Sequence, residues 1–271
     1  MIQITTSDRL TLRGHHWPVA QPKTVLLLIH GHGEHAGRYA HVAAYFNQQG
    51  AAMLGFDLRG HGLSDGGRGH SPNYGQLLND ADKMLQFAKQ TYPNVPIFIY
   101  GHSLGGQISL CFLLQKNPNI KGMIATAPLV DLAFRPPAIK VWLGRIVRNI
   151  LPSLTLKSEL NPEHLSHSPQ VVAAYIADPL VHSFVSAALG ADLLDSATWL
   201  QNYKGETPTP LYLLHGGDDQ ITSMPASRAF ARQLTGDKTH HTMPGLYHEI
   251  HNEEEYPEIL QKVWDWIEIR L

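Results

Sequence analysis

The sequence has 271 residues, of which 43% are hydrophobic and 16% are charged, and its formal net charge at pH 7 is -2. This length fits one α/β domain, or one core with a smaller insertion, and the balance of apolar and charged residues excludes a disordered chain. The lack of a basic excess argues against a nucleic-acid-binding protein, so we expect no nucleic-acid partner.

The N-terminal segment shows no targeting signal, because the first residues, MIQITTSDRLTLRG, lack a basic start followed by an apolar run. The longest apolar runs, such as Val25–Ile29, are far too short to span a bilayer. Cys111 is the only cysteine, so no intrachain disulfide can form, which fits a reducing compartment. These features predict a cytoplasmic protein and leave peripheral contact with lipid open.

Short apolar runs alternate along the chain with longer amphipathic segments. The chain begins with a predicted hairpin of residues 2–5 and 10–17, which turns at Ser7 and Asp8. Six runs predict strands, several of them buried on both faces of a parallel sheet: Val25–His30, Ala52–Asp57, Pro96–Tyr100, Gly122–Ala127, Pro210–His215 and Thr239–Met243. Five segments predict helices: Tyr39–Gln49, Asn73–Thr91, Leu104–Lys116, Met224–Leu234 and Glu254–Arg270. This alternation predicts an α/β fold with a mostly parallel central sheet flanked by helices.

The stretch from Pro128 to about Tyr203 interrupts the alternation, because it contains no convincing strand. We interpret residues 128–203 as a helical cap inserted into a core formed by residues 1–127 and 204–271. Apolar residues within the cap recur at helical spacing and predict one apolar helix face: Ile139, Trp142, Leu143, Ile146, Val147 and Ile150. The basic residues lie off this face, and a Leu-Pro pair ends the helix: Lys140, Arg145 and Arg148, then Leu151 and Pro152.

This apolar stripe has two interpretations. The helix can be an interfacial lid that touches a membrane or micelle, with its basic groups near phosphate head groups. Alternatively, the stripe packs onto the core.

The segment Gly101-His102-Ser103-Leu104-Gly105-Gly106 lies between a predicted strand and a predicted helix. In the pattern Gly-x-Ser-x-Gly the serine occupies a tight, strained strand-to-helix turn, and the flanking glycines relieve the crowding. Such a turn lifts the hydroxyl above the edge of the sheet, and the helix N-terminus directs N–H groups at developing negative charge. The motif therefore predicts that Ser103 is a nucleophile.

A serine hydroxyl is a weak nucleophile, so it needs a histidine base and an acid that orients the base. Where the serine sits on such a turn, the acid and then the histidine follow it along the chain. Asp218 and Asp219 both follow the run Pro210–His215, and Asp219 is favoured because an apolar residue two positions later can anchor its loop. His248, on the loop before the last helix, is favoured as the base, and His251 competes with it.

An acyl-transfer site also requires two backbone donors for the tetrahedral oxyanion. The N–H of Leu104, directly after the nucleophile, is one candidate. The loop His30-Gly31-His32-Gly33-Glu34-His35 matches the His-Gly type of oxyanion loop, so the N–H of His32 is the other. A plain glycine-rich turn is the alternative interpretation of this loop.

The remaining polar residues are interpreted mainly as structural. Asp57 and Arg59 are expected to order the loop beside the nucleophile through charge-assisted hydrogen bonds, although their charges leave a catalytic role open. The 17 histidines include the adjacent pairs His15–His16 and His240–His241, whose members point to opposite faces of a strand. Because the sequence has no His-Glu-x-x-His motif and no cysteine pair, no metal site is expected. Cys111 is expected to be a small core residue.

Together these motifs resemble the monoacylglycerol lipase and lysophospholipase group of the α/β-hydrolase superfamily. The matching segments span nearly the whole chain: His30–Tyr39, Asp57–Ser64, Gly101–Gly106, Tyr175–His182 and Gly245–Glu249. The resemblance implies the α/β-hydrolase fold with an inserted cap, the triad Ser103, Asp219 and His248, and oxyanion donors at His32 and Leu104. The family often has methionine where this chain has Leu104, but only the N–H of this residue is needed.

The resemblance further implies a serine esterase that cleaves a small lipid ester, with monoacylglycerol giving glycerol and free fatty acid through an acyl-enzyme. No metal or organic cofactor is required. The cap would then line an acyl-chain tunnel, with these candidate substrate-binding residues: Ile139, Trp142, Leu143 and Ile146.

Other activities remain as alternatives. They are a lysophospholipase, a short-chain carboxylesterase, and a non-catalytic ligand-binding module on the same fold. A proline-type aminopeptidase needs acidic groups to hold the substrate amine, and Glu159 and Glu163 are the only cap glutamates. A dehalogenase is excluded if Ser103 is the nucleophile, because that chemistry requires a carboxylate there.

Overall fold

Ten strands were found in the computed structural model of the protein, which describes residues 1–158 and 160–271. Glu159 and the side chain of Lys140, both named above, lie outside the described residues. The strands are β1 (Ile2–Thr5), β2 (Thr11–Trp17), β3 (Thr24–Ile29), β4 (Ala51–Phe56), β5 (Ile97–His102), β6 (Gly122–Thr126), β7 (Thr155–Lys157), β8 (Phe184–Ser186), β9 (Leu211–Gly216) and β10 (Lys238–Met243).

Eight of these strands form one central sheet in the order β1-β2-β4-β3-β5-β6-β9-β10. Strand β2 pairs antiparallel with β1 and with β4, and the six strands β4-β3-β5-β6-β9-β10 pair in parallel. The carboxyl ends of the parallel strands therefore meet at one edge, where the loops after β3, β5, β9 and β10 carry the predicted site residues.

Helices cover both faces of the sheet. They are α1 (Ala40–Gln48), α2 (Tyr74–Thr91), α3 (Leu104–Lys116), α4 (Ala138–Ile150), α5 (Pro169–Ala177), α6 (Ala187–Asn202), α7 (Met224–Gln233) and α8 (Tyr256–Glu268). Alternate residues of β3 point to opposite faces, so Leu27 packs with residues of α2 and α3, and Leu26 packs with residues of α1 and α8. This arrangement confirms the predicted α/β-hydrolase fold, with the ends of the predicted core elements within two residues of those observed.

The region between β6 and β9 differs in one respect from the sequence prediction. It contains the short antiparallel pair β7 and β8, whereas no convincing strand was predicted in residues 128–203. Strands of three residues are too short to show an alternating pattern, which explains why the prediction was wrong.

The helix α6 connects the predicted cap to the core. Its residues Leu189, Leu193 and Leu200 are buried within the larger core cluster, together with side chains of α2, α3 and α7. The boundary at residues 128–203 therefore remains a prediction.

The helix α4 leaves much of its predicted apolar face exposed to solvent. Ile139 is 61% exposed and Trp142 is 57% exposed, so the interpretation that this stripe packs onto the core finds no support. Two basic residues of α4 pair with α6: Arg145 and Arg148 both contact the carboxylate of Asp195.

Candidate active site

Ser103 occupies a strained turn between β5, which ends at His102, and α3, which begins at Leu104. Its backbone angles are φ 53° and ψ -115°, a conformation that a residue with a side chain rarely adopts. The Ser103 N–H donates to the carbonyl oxygen of Thr126, and its own carbonyl oxygen accepts from Gln107 at the start of α3. These backbone bonds hold the turn, and the side chain stays 9% exposed at the edge of the sheet.

The glycines two residues on either side of Ser103 are required by close packing. A Cβ on Gly105 would overlap the carbonyl oxygens of Ile29 and His30 at the end of β3. A Cβ on Gly101 would lie 2.6 Å from the hydroxyl of Ser109. The Gly-x-Ser-x-Gly spacing thus follows from how tightly the turn packs.

Asp219 lies on the loop after β9, and its side chain is fully buried. Its Oδ1 accepts hydrogen bonds from the N–H groups of Ile221 (2.7 Å) and Thr222 (3.0 Å). Burial alone raises the pKa of Asp219, but neighbouring donors, with His248 foremost, lower it well below the usual range. Asp219 is therefore a fixed anion. Asp218, the alternative acid, is exposed to solvent.

His248 lies on the loop after β10, with its Nδ1 2.7 Å from Oδ2 of Asp219. Its ring centroid is 4.8 Å from that of His102, the residue before Ser103. Burial by itself lowers the pKa of His248, but the Asp219 charge and hydrogen bond outweigh it, so the pKa is raised. The structure thus brings His248 together with Asp219, next to the serine turn.

His251, the competing base, is buried and stacks on Tyr39 at a centroid distance of 4.6 Å. Neither of its ring nitrogens has a hydrogen-bond partner among the described residues. Burial lowers the pKa of His251 to about 3, so the ring stays neutral. No carboxylate in the described part of the chain orients it as Asp219 orients His248.

The candidate oxyanion donors are backbone N–H groups at two loop positions. Among the described residues, neither the N–H of Leu104 nor that of His32 has a hydrogen-bond acceptor. The loop of His32 is held close to the serine, because a Cβ on Gly31 would lie 3.3 Å from Cβ of Ser103. Both N–H groups thus remain available as donors, and their role as the oxyanion hole stays a prediction.

The chain is similar in sequence to known hydrolases. A family model described as serine aminopeptidase, S33 matches residues 20–255. The chain belongs to this hydrolase family. A monoacylglycerol lipase of Mycolicibacterium smegmatis is 31% identical over 92% of this chain and 90% of that protein.

Two further proteins are similar to the hydrolase over most of its length. The crystal structure of a monoacylglycerol lipase from Paleococcus ferrophilus matches with a TM-score of 0.86 and 31% identity, covering 94% of this chain and 98% of that chain. An uncharacterized abhydrolase domain-containing protein of Dictyostelium discoideum is 37% identical over 99% of this chain. The hydrolase spans only 29% of the length of the Dictyostelium protein.

A buried network of charges supports the predicted oxyanion loop of the hydrolase. Glu34 accepts from the N–H of Gly31 (2.6 Å) and from Arg38 (2.7 Å). Arg38 also forms a bidentate pair with Glu249, at 2.6 and 2.7 Å, directly after His248. The network therefore joins the loops that carry His32 and His248.

Sequence reasoning gave this network no role, although its members lie within the motifs that carry the resemblance. The sequence offered one sign of the network, namely three charged residues within segments that are otherwise rich in glycine and histidine: Glu34, Arg38 and Glu249. Their pairing spans more than two hundred residues, so the sequence alone did not reveal it.

Asp57 and Arg59 stabilise loops near the site, as expected, but through separate partners. Asp57 accepts from the N–H groups of Ala36 and Leu63, both at 2.8 Å, and so ties two loops together. Arg59 is buried and pairs with Asp80 on α2, as well as with Asp8 of the N-terminal hairpin. Neither contacts the predicted triad. Cys111 is buried in the core, as predicted.

A cavity of about 350 Å³ lies beside the predicted oxyanion loop of the hydrolase. Its lining combines the side of this loop with cap residues, including His32, Tyr175, Val181 and Phe184. The four cap residues predicted to bind substrate do not line this described cavity; they lie on α4 instead: Ile139, Trp142, Leu143 and Ile146.

The described residues offer neither a metal centre nor a membrane span. Within residues 1–158 and 160–271, no group of three or more His, Cys, Asp or Glu side chains is arranged to hold a metal ion. The helices in that part of the chain all lack the length and apolarity needed to cross a membrane.

Proposed function

We propose that this chain hydrolyses monoacylglycerol to glycerol and free fatty acid through an acyl-enzyme on Ser103. The chain is a carboxylic ester hydrolase. The observation that carries the proposal is the buried Asp219–His248 pair beside the strained turn of Ser103. The choice of monoacylglycerol as the substrate is supported by relatives named as monoacylglycerol lipases.

In the first half of the reaction, Ser103 Oγ attacks the ester carbonyl carbon while Nε2 of His248 takes the hydroxyl proton. Asp219 holds His248 in the required tautomer and stabilises the imidazolium that forms. The N–H groups of Leu104 and His32 stabilise the oxyanion, each lowering the barrier by about 3 kcal/mol. His248 then returns the proton to the glycerol oxygen as the C–O bond breaks.

In the second half, water attacks the acyl-enzyme carbonyl carbon and His248 takes a proton from that water. The tetrahedral intermediate collapses, the bond to Ser103 Oγ breaks, and the proton returns to this oxygen. The fatty acid leaves, and the free enzyme is restored. These steps use only side chains and backbone groups of this chain.

A peptide substrate bound through its N-terminal amine is disfavoured, because the acidic groups near the site are already paired. A peptidase needs a carboxylate free to bind the substrate amine. Glu34 and Glu249 are both paired with Arg38, and Asp178 is 2.8 Å from His35. Glu163 is exposed on the cap surface, and Glu159 lies outside the described residues.

We further propose that residues 128–203 act as a cap whose helix α4 contacts the lipid surface that presents the substrate. Exposed apolar side chains along one face of α4 support this role. Because Arg145 and Arg148 pair with Asp195, the contact is expected to be mainly apolar. Lysophospholipase activity would require additional contacts to a charged head group.

The test is a matched panel of substrates: monoacylglycerols of several chain lengths, a lysophosphatidylcholine and a short aryl ester. Wild type and Ser103→Ala are measured side by side. The expected result is that monoacylglycerol turnover exceeds the other two and is lost in Ser103→Ala. Turnover of the aryl ester alone would refute the lipid assignment.

Labelling with a fluorophosphonate separates an enzyme from a ligand-binding module. Wild type is expected to react at Ser103, and Ser103→Ala is expected not to react. A wild-type protein that neither reacts nor turns over any ester would refute the proposed function.

A further inference from the structure

A second imidazole contacts the proposed catalytic acid. His215 lies near the end of β9 with no exposed surface, and its Nε2 is 3.0 Å from Oδ2 of Asp219. This is the same oxygen that lies 2.7 Å from Nδ1 of His248. Among the described residues, no other titratable side chain comes within hydrogen-bonding distance of Asp219. The sequence motifs gave His215 no role.

The surroundings of His215 fix which of its nitrogens carries the proton. Its Nε2 faces the Asp219 carboxylate and, at 3.2 Å, the carbonyl oxygen of Thr222, and both of these are acceptors. Its Nδ1 lies 2.9 Å from the hydroxyl of Ser227 on α7, which can donate to it. A neutral ring protonated at Nε2 therefore satisfies both nitrogens.

The hydroxyl of Thr222 does not replace His215 as a donor to Asp219. Thr222 Oγ1 lies 2.9 Å from Oδ2 of Asp219, but also 3.0 Å from the carbonyl oxygen of Ala127. A hydroxyl has one proton, so it serves only one of these acceptors at a time. The N–H of His215 also has two acceptors, but its contact with Oδ2 of Asp219 (3.0 Å) is shorter than that with the carbonyl oxygen of Thr222 (3.2 Å), so His215 is a second donor to Oδ2.

Other ionisable groups surround the two imidazoles without touching Asp219. His240, on the neighbouring strand β10, faces His215. The groups around His248 come from several loops and helices: the rings of His102 and His251, the carboxylates of Glu34 and Glu249, and the guanidinium of Arg38. The groups around His248 do not contact His215, so replacing His215 alone leaves those groups in place.

We propose that His215 is a positioning residue for the proposed triad: its Nε2–H shares the Asp219 carboxylate with His248 and so limits how tightly Asp219 holds a proton on His248. Two donors on one carboxylate oxygen divide its negative charge between them. His248 consequently returns to its neutral, basic form more readily after each proton transfer. The bond from Ser227 extends this control to α7. This inference rests on the proposed function of Ser103, Asp219 and His248.

The test compares His215→Leu, which removes the donor, with His215→Gln, whose amide can donate from a similar position. His240→Leu is the matched control on the neighbouring strand, since it removes a histidine that does not contact Asp219. The readouts are kcat, KM and the pH dependence of kcat/KM for a soluble ester. Fluorophosphonate labelling of wild type reports separately on the proposed function.

In His215→Leu we expect kcat to fall on the order of tenfold at little change in KM, because one hydrogen bond to a charged group is lost. The acidic limb of the pH profile is expected to move up by about half a pH unit, because Asp219 then holds the imidazolium of His248 more tightly. His215→Gln and His240→Leu should both keep the wild-type profile.

A folded His215→Leu with an unchanged pH profile would overturn the proposal, even if wild type reacts normally at Ser103. If His215→Leu does not fold, nitrogen chemical shifts of the histidine rings in wild type carry the test. They are expected to show the proton of the His215 ring on Nε2 and to show His248 titrating. A ring protonated at Nδ1 alone would overturn the proposal.

Discussion

The strand-end site and the cap helix α4 are built in opposite ways. At the site, the Asp219 carboxylate is fully buried and has five donors within hydrogen-bonding distance, two from backbone and three from side chains. On α4, Ile139 and Trp142 are more than half exposed, and Arg145 and Arg148 form exposed pairs with Asp195. Exposed pairs of this kind contribute little to stability.

This difference separates two requirements of a lipid hydrolase. The chemistry needs groups held at fixed positions, because a carboxylate that must reorient at each step stabilises the charged transition state less. Contact with a lipid surface needs apolar side chains that are not already buried within the protein. Substitutions at the site should therefore be severe, and those on α4 should be mild and specific to lipid substrates.

The largest effect is expected from Asp219→Asn. The amide cannot stabilise the imidazolium or hold the correct tautomer of His248, so kcat should fall about 10⁴-fold. Asp218→Asn is the matched control, because this neighbouring carboxylate is exposed and should change kcat by no more than about twofold. If Asp218→Asn causes the large loss instead, the assignment of the acid is wrong.

A pair of glycine substitutions compares the two regions directly. Gly105→Ala should destabilise the protein by about 3 kcal/mol, because the new methyl group overlaps the carbonyl oxygens at the end of β3. Gly144→Ala, in the middle of α4, meets nothing within 4 Å and should stabilise the protein by up to about 1 kcal/mol through helix propensity. Urea unfolding measures both. Equal effects would contradict the contrast between a tight site and an open cap.

The sequence predicted those features that depend on local pattern. The strands of the sheet were found because their apolar runs are bounded by Gly or Pro, and Ser103 was found because its turn imposes the spacing of Gly101 and Gly105. Asp219 and His248 followed from their order along the chain. The structure places Nδ1 of His248 2.7 Å from Oδ2 of Asp219, and their catalytic roles stay a prediction.

Features that depend on contacts between distant segments were not predicted. The pair of Arg38 with Glu249 and the contact of His215 with Ser227 join residues whose neighbours in sequence give no signal. Nor did composition reveal that Arg145 and Arg148 turn towards α6 rather than towards a lipid head group. Such contacts are set by how elements pack, which a single sequence specifies only indirectly.

The pH profile tests the electrostatics of the buried site. Because the Asp219 carboxylate outweighs burial and raises the pKa of His248, the rise of kcat/KM with pH should be centred above the usual histidine range. The imidazolium also stabilises the fold below the unfolded-state pKa, and this contribution is lost as pH rises through the raised value. His248→Gln should remove that part of the pH dependence of stability. A profile centred below the usual range would contradict the electrostatics described for the site.

The smallest effect on chemistry is expected from replacing apolar residues of α4. The double variant Ile139→Ser, Trp142→Ser should weaken binding to phosphatidylcholine vesicles about tenfold, since two exposed side chains no longer leave water for the lipid surface. Its rate on a soluble aryl ester should stay within about twofold of wild type, because neither side chain lines the described cavity beside the oxyanion loop.

Ile269→Ser is the matched control for that double variant, since Ile269 is 79% exposed but lies just past the end of α8, away from the cap. It should leave vesicle binding unchanged if the lipid contact belongs to α4 and does not arise from exposed apolar surface in general. Equal losses from both variants would make binding a nonspecific property of the surface. A loss of aryl ester hydrolysis in the α4 variant would show instead that the cap helix helps to shape the site, and the sharp division between the two regions would then fail.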